Sequence, residues 1–108
     1  MTLYQPNQKV KKLAQALLTL QDQKELILFL RDLLTEPEIE ELAGRLSVAI
    51  ALSEGKSQRV VAKETGVSIA TVTRVNQWLK RGMGGYQKVI AALKASNDSH
   101  SLHHSTKQ

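Results

Sequence analysis

The sequence predicts an all-α protein of about six helices, on the evidence of its composition and its periodicity. Hydrophobic residues make up 42% of the 108 residues, whereas aromatic residues make up only 4%. A core of leucine, valine, isoleucine and alanine with few rings favours packed helices over a β-sandwich. Apolar residues also recur three and four positions apart in successive segments, as they do on the buried face of a helix.

Two helices are predicted before residue 35. Asn7 is a candidate N-cap for a helix that runs to about Leu20, and Asp22 for a helix from Gln23 to Leu34. The apolar residues of the second helix cover more than one of its faces: Leu26, Ile27, Phe29, Leu30, Leu33 and Leu34. So short a helix cannot bury so wide an apolar surface within one small chain. We therefore expect a second copy of the chain to cover this surface in a homodimer.

The segment Thr35-Glu36-Pro37-Glu38 predicts the start of a third helix. Thr35 can accept from a first-turn amide, Glu38 can reach back, and Pro37 fits a turn in which its missing N–H is not needed. The helix is expected to end at about Ser53. The residues predicted to face inward are Ile39, Leu42, Ala43, Leu46, Ala49 and Ile50. Residues 7–53 together are expected to form the dimerisation helices.

The second half of the chain predicts two shorter helices within residues 57–80, separated at Gly66. A glycine-rich break at residues 82–85 then precedes a last helix over residues 86–95. Residues 96–108 are rich in serine, histidine, asparagine and lysine, which predicts a disordered tail. The histidines of that tail are expected to be solvated rather than to hold a metal: His100, His103 and His104. The prediction is one helical domain over residues 1–95, followed by the tail.

Charge is distributed unevenly along the chain. Residues 1–55 carry six basic residues against eight acidic ones, whereas residues 56–88 carry seven basic residues against Glu64 alone. A mildly acidic half and a strongly basic half suit a protein that assembles through one part and meets a polyanion with the other. A solvated basic helix face is the alternative interpretation of the charge alone.

Several classes of function are not supported by the sequence. It contains no cysteine, which excludes disulfides and thiolate chemistry. No Ser/His/Asp or paired-carboxylate arrangement falls on the predicted helices, so we do not expect an enzyme or a bound cofactor. The first ten residues lack the apolar core of a signal peptide, and the most apolar run, residues 26–34, is too short to span a bilayer. We expect a soluble, cytoplasmic protein that does not contact a membrane.

Residues 57–74, SQRVVAKETGVSIATVTR, have the pattern of a helix-turn-helix. Ala62 is small where the second helix crosses the first, and Gly66 tolerates the left-handed conformation that the turn requires. Ser68 is the candidate N-cap of the second helix. Apolar residues stand at the positions that would lock the two helices together: Val61, Val67, Val72 and Val75.

The exposed residues of this motif are of the kinds that contact double-stranded DNA. Residues at the start of the first helix can hold phosphates, and those on the outer face of the second can contact base edges and thymine methyl groups. The predicted DNA-binding residues are Ser57, Gln58, Arg59, Ser68, Ile69, Ala70, Thr71, Thr73, Arg74, Gln77 and Lys80. The alternative interpretation is an ordinary helical hairpin, in which Gly66 and the valines would fit equally well. That interpretation would not explain why residues 68–81 lack acidic side chains.

Most of residues 20–95 resemble the tryptophan repressor family. The matching residues are Glu38, Leu42, Arg45, Gly55, SQR at 57–59, Gly66, IAT at 69–71, TR at 73–74, Asn76 and Leu79-Lys80. The ending RVNQWLK followed by GGY is closer to the YerC/YecD-like branch of that family. The resemblance implies a six-helix chain in an intertwined homodimer whose N-terminal helices form a shared core.

The resemblance also implies a possible effector pocket. In the tryptophan-binding members two arginines sandwich the indole, and their counterparts here are Arg45 and Arg74; Thr35 matches a residue beside the ligand's amino group. Val75 replaces a glycine and Trp78 replaces a serine of those repressors. We expect Val75 to be core and Trp78 to fill the ligand's space, which disfavours L-tryptophan as a corepressor. Arg74 contacting a phosphate, and Arg45 pairing with a carboxylate such as Glu41, are the simpler roles.

The sequence thus predicts a homodimeric, sequence-specific transcriptional regulator, expected to be a repressor acting on a palindromic operator. One alternative is the helix-turn-helix subunit of an insertion-element transposase. Another, from a different class, is a helical protein-interaction module that uses the apolar residues 26–34 on another partner.

Overall fold

A computed structural model describes the backbone of residues 4–107 and the side chains as far as Asn97. This part of the chain contains six helices and no strand, which confirms the all-α prediction. In chain order they are α1 (Gln8–Leu18), α2 (Gln23–Leu33), α3 (Glu36–Ser53), α4 (Gln58–Thr65), α5 (Ile69–Arg81) and α6 (Gly85–Lys107). None of the helices within the described residues is long and apolar enough to cross a membrane.

The chain divides into two compact units, Met1–Ile39 and Glu40–Gln108, with the boundary inside α3. The sequence, by contrast, predicts residues 1–95 as one domain. The histidines at 100, 103 and 104 lie outside the described side chains.

The helices of the first unit begin with local hydrogen bonds. The side chain of Asn7 accepts a bond from the Val10 N–H at 2.9 Å, and that of Asp22 from the Glu25 N–H at 2.9 Å. At α3 the Thr35 Oγ1 accepts from the Glu38 N–H at 3.3 Å, while the Glu38 carboxylate accepts from the Thr35 N–H at 2.9 Å. The predicted starts of all three helices are confirmed, because each has its capping bond.

The core lies in the second unit and is built from three helices. Val61 of α4 and Val72 and Val75 of α5 are fully buried, as the helix-turn-helix pattern predicts. They pack with Val48 and Ala49 of α3. Half-buried residues surround this cluster, including Val67 in the turn and Tyr86 and Ile90 of α6. The two helices of the motif are therefore fixed against each other by branched side chains of similar size.

Two predictions about helices differ from the structure. On α3 the residues expected inside include Leu42 and Ala43, which are exposed, and omit Val48, which is fully buried. Positions 48–52 are all apolar, so the periodicity cannot select one face there. The last helix was expected to end at about residue 95 before a disordered tail, whereas α6 continues to Lys107. Neither glycine nor proline occurs after Gly85 to stop it.

Candidate nucleic-acid interface

The helix-turn-helix consists of α4, a three-residue turn and α5, and each junction has a local cause. Ser57 caps α4 by accepting from the Val60 N–H at 3.2 Å, and Ser68 caps α5 by accepting from the Thr71 N–H at 3.2 Å. Gly66 ends α4 at φ +76°, in the left-handed region. Because a side chain is strained in that conformation, glycine suits this turn better than other residues.

Thr65 adds a restraint to the turn that sequence reasoning missed. Its hydroxyl donates to the Val61 carbonyl at 2.7 Å and accepts from the Val67 N–H at 3.2 Å. These bonds tie the Thr65 side chain to the preceding turn of α4 and give the Val67 amide in the turn an acceptor, which restrains the path of the chain into α5. A threonine directly before the turn glycine was the available signal in the sequence.

Most of the predicted DNA-binding residues are exposed to solvent in the structure. Gln58 and Thr71 are half-buried, and the others are exposed: Ser57, Arg59, Ser68, Ile69, Ala70, Thr73, Arg74, Gln77 and Lys80. The side chains of Ser68 and Thr71 are bonded to each other at 3.1 Å at the start of α5. The Thr73 hydroxyl donates to the Gln58 Oε1 at 2.8 Å, which joins the two helices of the motif.

The electrostatics of this surface are almost entirely basic. Ion pairs among the described side chains are Arg31–Glu36, Arg45–Glu41 and Lys56–Glu64. The last, at 2.9 Å, engages the one acidic residue between Gly55 and Asp98 and raises the pKa of Lys56 through its hydrogen bond to Glu64. Arg59, Arg74 and Lys80 are not in these pairs, so their charges are available to a polyanion.

A recess of about 310 Å³ beside the start of α4 brings together residues that sequence reasoning only partly identified. Lys80, Ser57 and Gln58 were predicted to contact DNA; Lys56 and Asn76, which line the same recess, were not. Two ammonium groups, two amides and a hydroxyl near the N-terminal end of a helix are donors of the kinds that hold a DNA phosphate. Lys56 could have been found from its position directly before the motif.

Three residues of the possible effector pocket line one cleft. Arg45, Arg74 and Trp78 line a cleft of about 370 Å³ between α3 and α5, together with Glu40, Glu41, Gly44, Val67 and Thr71. Val75 is fully buried in the core, as expected, and does not line the cleft. Thr35 belongs to the first unit, where its hydroxyl and its N–H are bonded to Glu38.

Within this cleft the chain's own indole lies against an arginine. The Arg45 guanidinium lies 5.8 Å from the centre of the Trp78 ring, within the range of a cation–π contact. Arg45 also pairs with Glu41 one turn earlier on α3 at 2.8 Å, which confirms the simpler role given to it. Trp78 is 42% exposed and lines the cleft, and the expectation that it fills the ligand's space stays a prediction.

The motif consists of a short helix that ends at a left-handed glycine, a second helix that crosses it and has a basic face without acidic residues, and a valine core between them. These features define a helix-turn-helix protein. Comparison with known proteins makes this class specific. Residues 8–94 match the model of the Trp repressor protein family. The chain therefore belongs to the Trp repressor family, which comprises non-enzymatic DNA-binding regulators.

Individual relatives agree with this membership. The chain is 37% identical over 86 residues to the protein YerC of Bacillus subtilis (strain 168), a match that covers 80% of this chain and 83% of YerC. The crystal structure of a TrpR-like protein from Eubacterium eligens ATCC 27750 superposes with a TM-score of 0.77 at 40% identity, covering 82% of this chain and 91% of that one. A Staphylococcus aureus protein described as a "putative Trp repressor" superposes with a TM-score of 0.78 at 31% identity, covering 82% and 89%.

Proposed function

We propose that the protein is a transcriptional repressor that binds a palindromic operator in the cytoplasm as a homodimer. Each subunit places α5 in a major groove, and the two copies lie about one helical turn of DNA (~34 Å) apart. The tryptophan repressor is itself among the proteins that define this docking geometry. The proposal rests on the solvent-facing side of α5. This side presents both residues of the kinds that contact base edges and basic residues, on a motif fixed by its own core.

The dimer is proposed from apolar surface that the single chain leaves open. Large apolar side chains of the first unit are exposed in α1 and α2: Val10, Leu13, Leu17, Leu18, Ile27, Leu28 and Leu33. In the second unit an apolar groove of about 450 Å³ is lined by Leu46, Trp78, Met83, Tyr86 and Val89. Large apolar patches on monomeric proteins are rare, and a second copy is the partner always present to cover these side chains. Sedimentation at micromolar concentration should give a dimer; a monomer would refute this part of the proposal.

DNA binding is tested with two kinds of substitution, one expected to weaken binding to all sequences and the other expected to change the preferred sequence. Arg59→Ala and Lys80→Ala should weaken binding to every duplex and reduce the dependence of the dissociation constant on salt, because each removes a phosphate contact. Thr73→Ala should instead change which sequences are preferred. Lys12→Ala, which removes a positive charge from α1, is the control and should change neither property. Binding unaffected by any of the three substitutions in the motif would mean that α5 is not the recognition helix.

We further propose that this regulator needs no L-tryptophan. Trp78 already supplies an indole to Arg45, so the contact between α3 and the recognition helix forms without a free ligand. Calorimetry with L-tryptophan should show no saturable heat, and the dissociation constant for DNA should be the same with and without it. An increase in DNA affinity on adding L-tryptophan would contradict this proposal and leave DNA binding itself intact.

A further inference from the structure

The contact between Gln58 and Thr73 joins two parts of the interface that usually have different tasks. Gln58 is the first residue of α4 and lines the basic recess with Lys56 and Lys80. Thr73 lies on the exposed face of α5 beside Arg74. The Thr73 Oγ1 donates to the Gln58 Oε1 at 2.8 Å, across 15 residues of sequence. Among the described side chains, this is the hydrogen bond that directly links the α4 and α5 side chains.

The direction of this bond limits what each partner can still do. A hydroxyl has one hydrogen to donate and two lone pairs with which to accept. Since the Thr73 hydrogen is directed to Gln58, the hydroxyl faces any further partner as an acceptor. Gln58, whose oxygen is occupied, retains its NH2 group as a donor, which suits a phosphate oxygen at the recess. Alone, each of these two side chains could donate or accept a hydrogen bond. When they are bonded to each other, the Thr73 hydroxyl is left as an acceptor and the Gln58 amide as a donor.

In the major groove, a hydrogen-bond acceptor on the protein can bind only those bases that present a donor. Adenine presents the N6 amino group and cytosine the N4 amino group, both donors, whereas guanine and thymine present only acceptors to a hydroxyl. An acceptor at Thr73 therefore discriminates between these two pairs of bases. To bind guanine or thymine, the Thr73 hydroxyl would have to turn and give up its bond to Gln58.

We propose that Gln58 and Thr73 form one specificity-determining unit, in which Gln58 holds the Thr73 hydroxyl as an acceptor for adenine or cytosine. This inference rests on the proposed function and adds to it the chemistry of one base in each half-site. Thr73 is the group that touches the base, and Gln58 is a positioning residue that acts through it.

The experiment begins by selecting the preferred duplex of the wild-type protein from a random library. Dissociation constants are then measured with each of the four bases at every half-site position. Thr73→Val, which keeps the branched shape and removes the hydroxyl, should lower discrimination at one position by roughly threefold to tenfold per half-site. Thr73→Ser retains the hydroxyl and is the matched control. On the strand that Thr73 contacts, the preferred base at that position should be adenine or cytosine. Replacing that base by its analogue without the exocyclic amino group (purine for adenine, 2-pyrimidinone for cytosine) should weaken binding by the wild type and leave binding by Thr73→Val unchanged.

Gln58 provides the decisive variants because it lies on the other helix. Gln58→Ala frees the Thr73 hydroxyl to donate, so guanine or thymine should become acceptable at that same position. Gln58→Glu keeps an oxygen for Thr73 but loses the donor, so it should weaken binding to all sequences and leave the base preference unchanged. The double variant Gln58→Ala/Thr73→Val should match Thr73→Val at that position, with folding of each variant checked by thermal unfolding.

Two results would overturn the inference while leaving the proposed function intact. One is a uniform loss of affinity in Gln58→Ala with no change of base preference. The other is wild-type binding that does not weaken when the amino group of the adenine or cytosine is removed at the position that Thr73→Val identifies. Failure of the wild-type protein to bind any duplex would instead refute the proposed function, and this inference with it.

Discussion

The two units of the chain are stabilised in different ways. Of the described residues in 4–39, none is buried, and each helix there begins with a capping bond at an exposed position. In the unit from Glu40 onward, five residues are fully buried in one cluster between α3, α4 and α5. Capping bonds contribute about 1 kcal/mol each, whereas burial of apolar side chains makes the largest favourable contribution to folding.

This difference corresponds to the two roles that we propose for the units, which are dimerisation for the first and DNA recognition for the second. A helix-turn-helix with its own core can keep its recognition residues in fixed positions without help from a partner. The first unit, with apolar helices and no core of its own, gains stability only when another surface covers it. Substitutions in the first unit should therefore act through association, and those in the second through the intrinsic stability of the motif.

The largest effect is expected from a charge on the apolar stripe of α1. Leu17→Glu would place a carboxylate without a partner in the proposed dimer interface, which should weaken dimerisation by roughly a hundredfold or more. Sedimentation velocity over a concentration series measures this directly. Gln15→Glu adds the same charge on another face of α1 and should leave the dimer intact. An undisturbed dimer in Leu17→Glu would mean that α1 does not contribute to the interface.

The next effect tests the core of the second unit with the same substitution at neighbouring positions. Val61 is fully buried and Val60 is 43% exposed, although both lie on α4. Val61→Ala should lower the free energy of unfolding by about 2 to 3 kcal/mol, from lost burial and the cavity left behind. Val60→Ala should change it by less than about 0.5 kcal/mol. Urea unfolding at fixed protein concentration compares them, and equal losses would contradict the burial pattern.

The sequence predicted features of this fold that depend on a few neighbouring residues. The caps at Asn7, Asp22, Thr35 and Ser68 are bonds between residues three apart, so residue type and spacing suffice to find them. The left-handed turn at Gly66 is likewise local. The helix-turn-helix pattern identified the buried valines because it already contains the crossing of two helices.

Features that depend on distant parts of the chain were not predictable in the same way. The contact of Gln58 with Thr73, and that of Arg45 with Trp78, require the crossing angles of α4 and α3 with α5. No periodicity in the sequence specifies those angles. For that reason the sequence predicted exposed candidate residues for the site, while their pairing with each other was not foreseen.

A smaller effect is expected at the turn of the helix-turn-helix. Gly66 has φ +76°, and a β-carbon there would meet no atom within 4 Å but would be strained by the left-handed backbone. Gly66→Ala should therefore lower the free energy of unfolding by about 1 to 2 kcal/mol. Gly85→Ala, at the first residue of α6, also meets no neighbouring atom and lacks a positive φ, so it should cause no loss. A similar loss in both variants would show that backbone strain is not the cause.

The smallest effect belongs to the first unit and depends on pH. Hydrogen bonds from the backbone N–H and then the hydroxyl of Thr35 lower the pKa of Glu38 below its ordinary value of 4.5. A carboxyl whose pKa is lower in the folded protein adds stability at pH values above its unfolded pKa. That stability is lost as the pH falls through the lower, folded pKa. Thermal unfolding of the wild type and of Glu38→Gln should therefore differ at pH 7 and converge in this acid range. Glu40→Gln is the control, because it removes a charge from the same helix outside the capping bonds. The difference in thermal stability between Glu40→Gln and the wild type should not change with pH in the same way. If it does, the experiment measures general acid destabilisation rather than the cap.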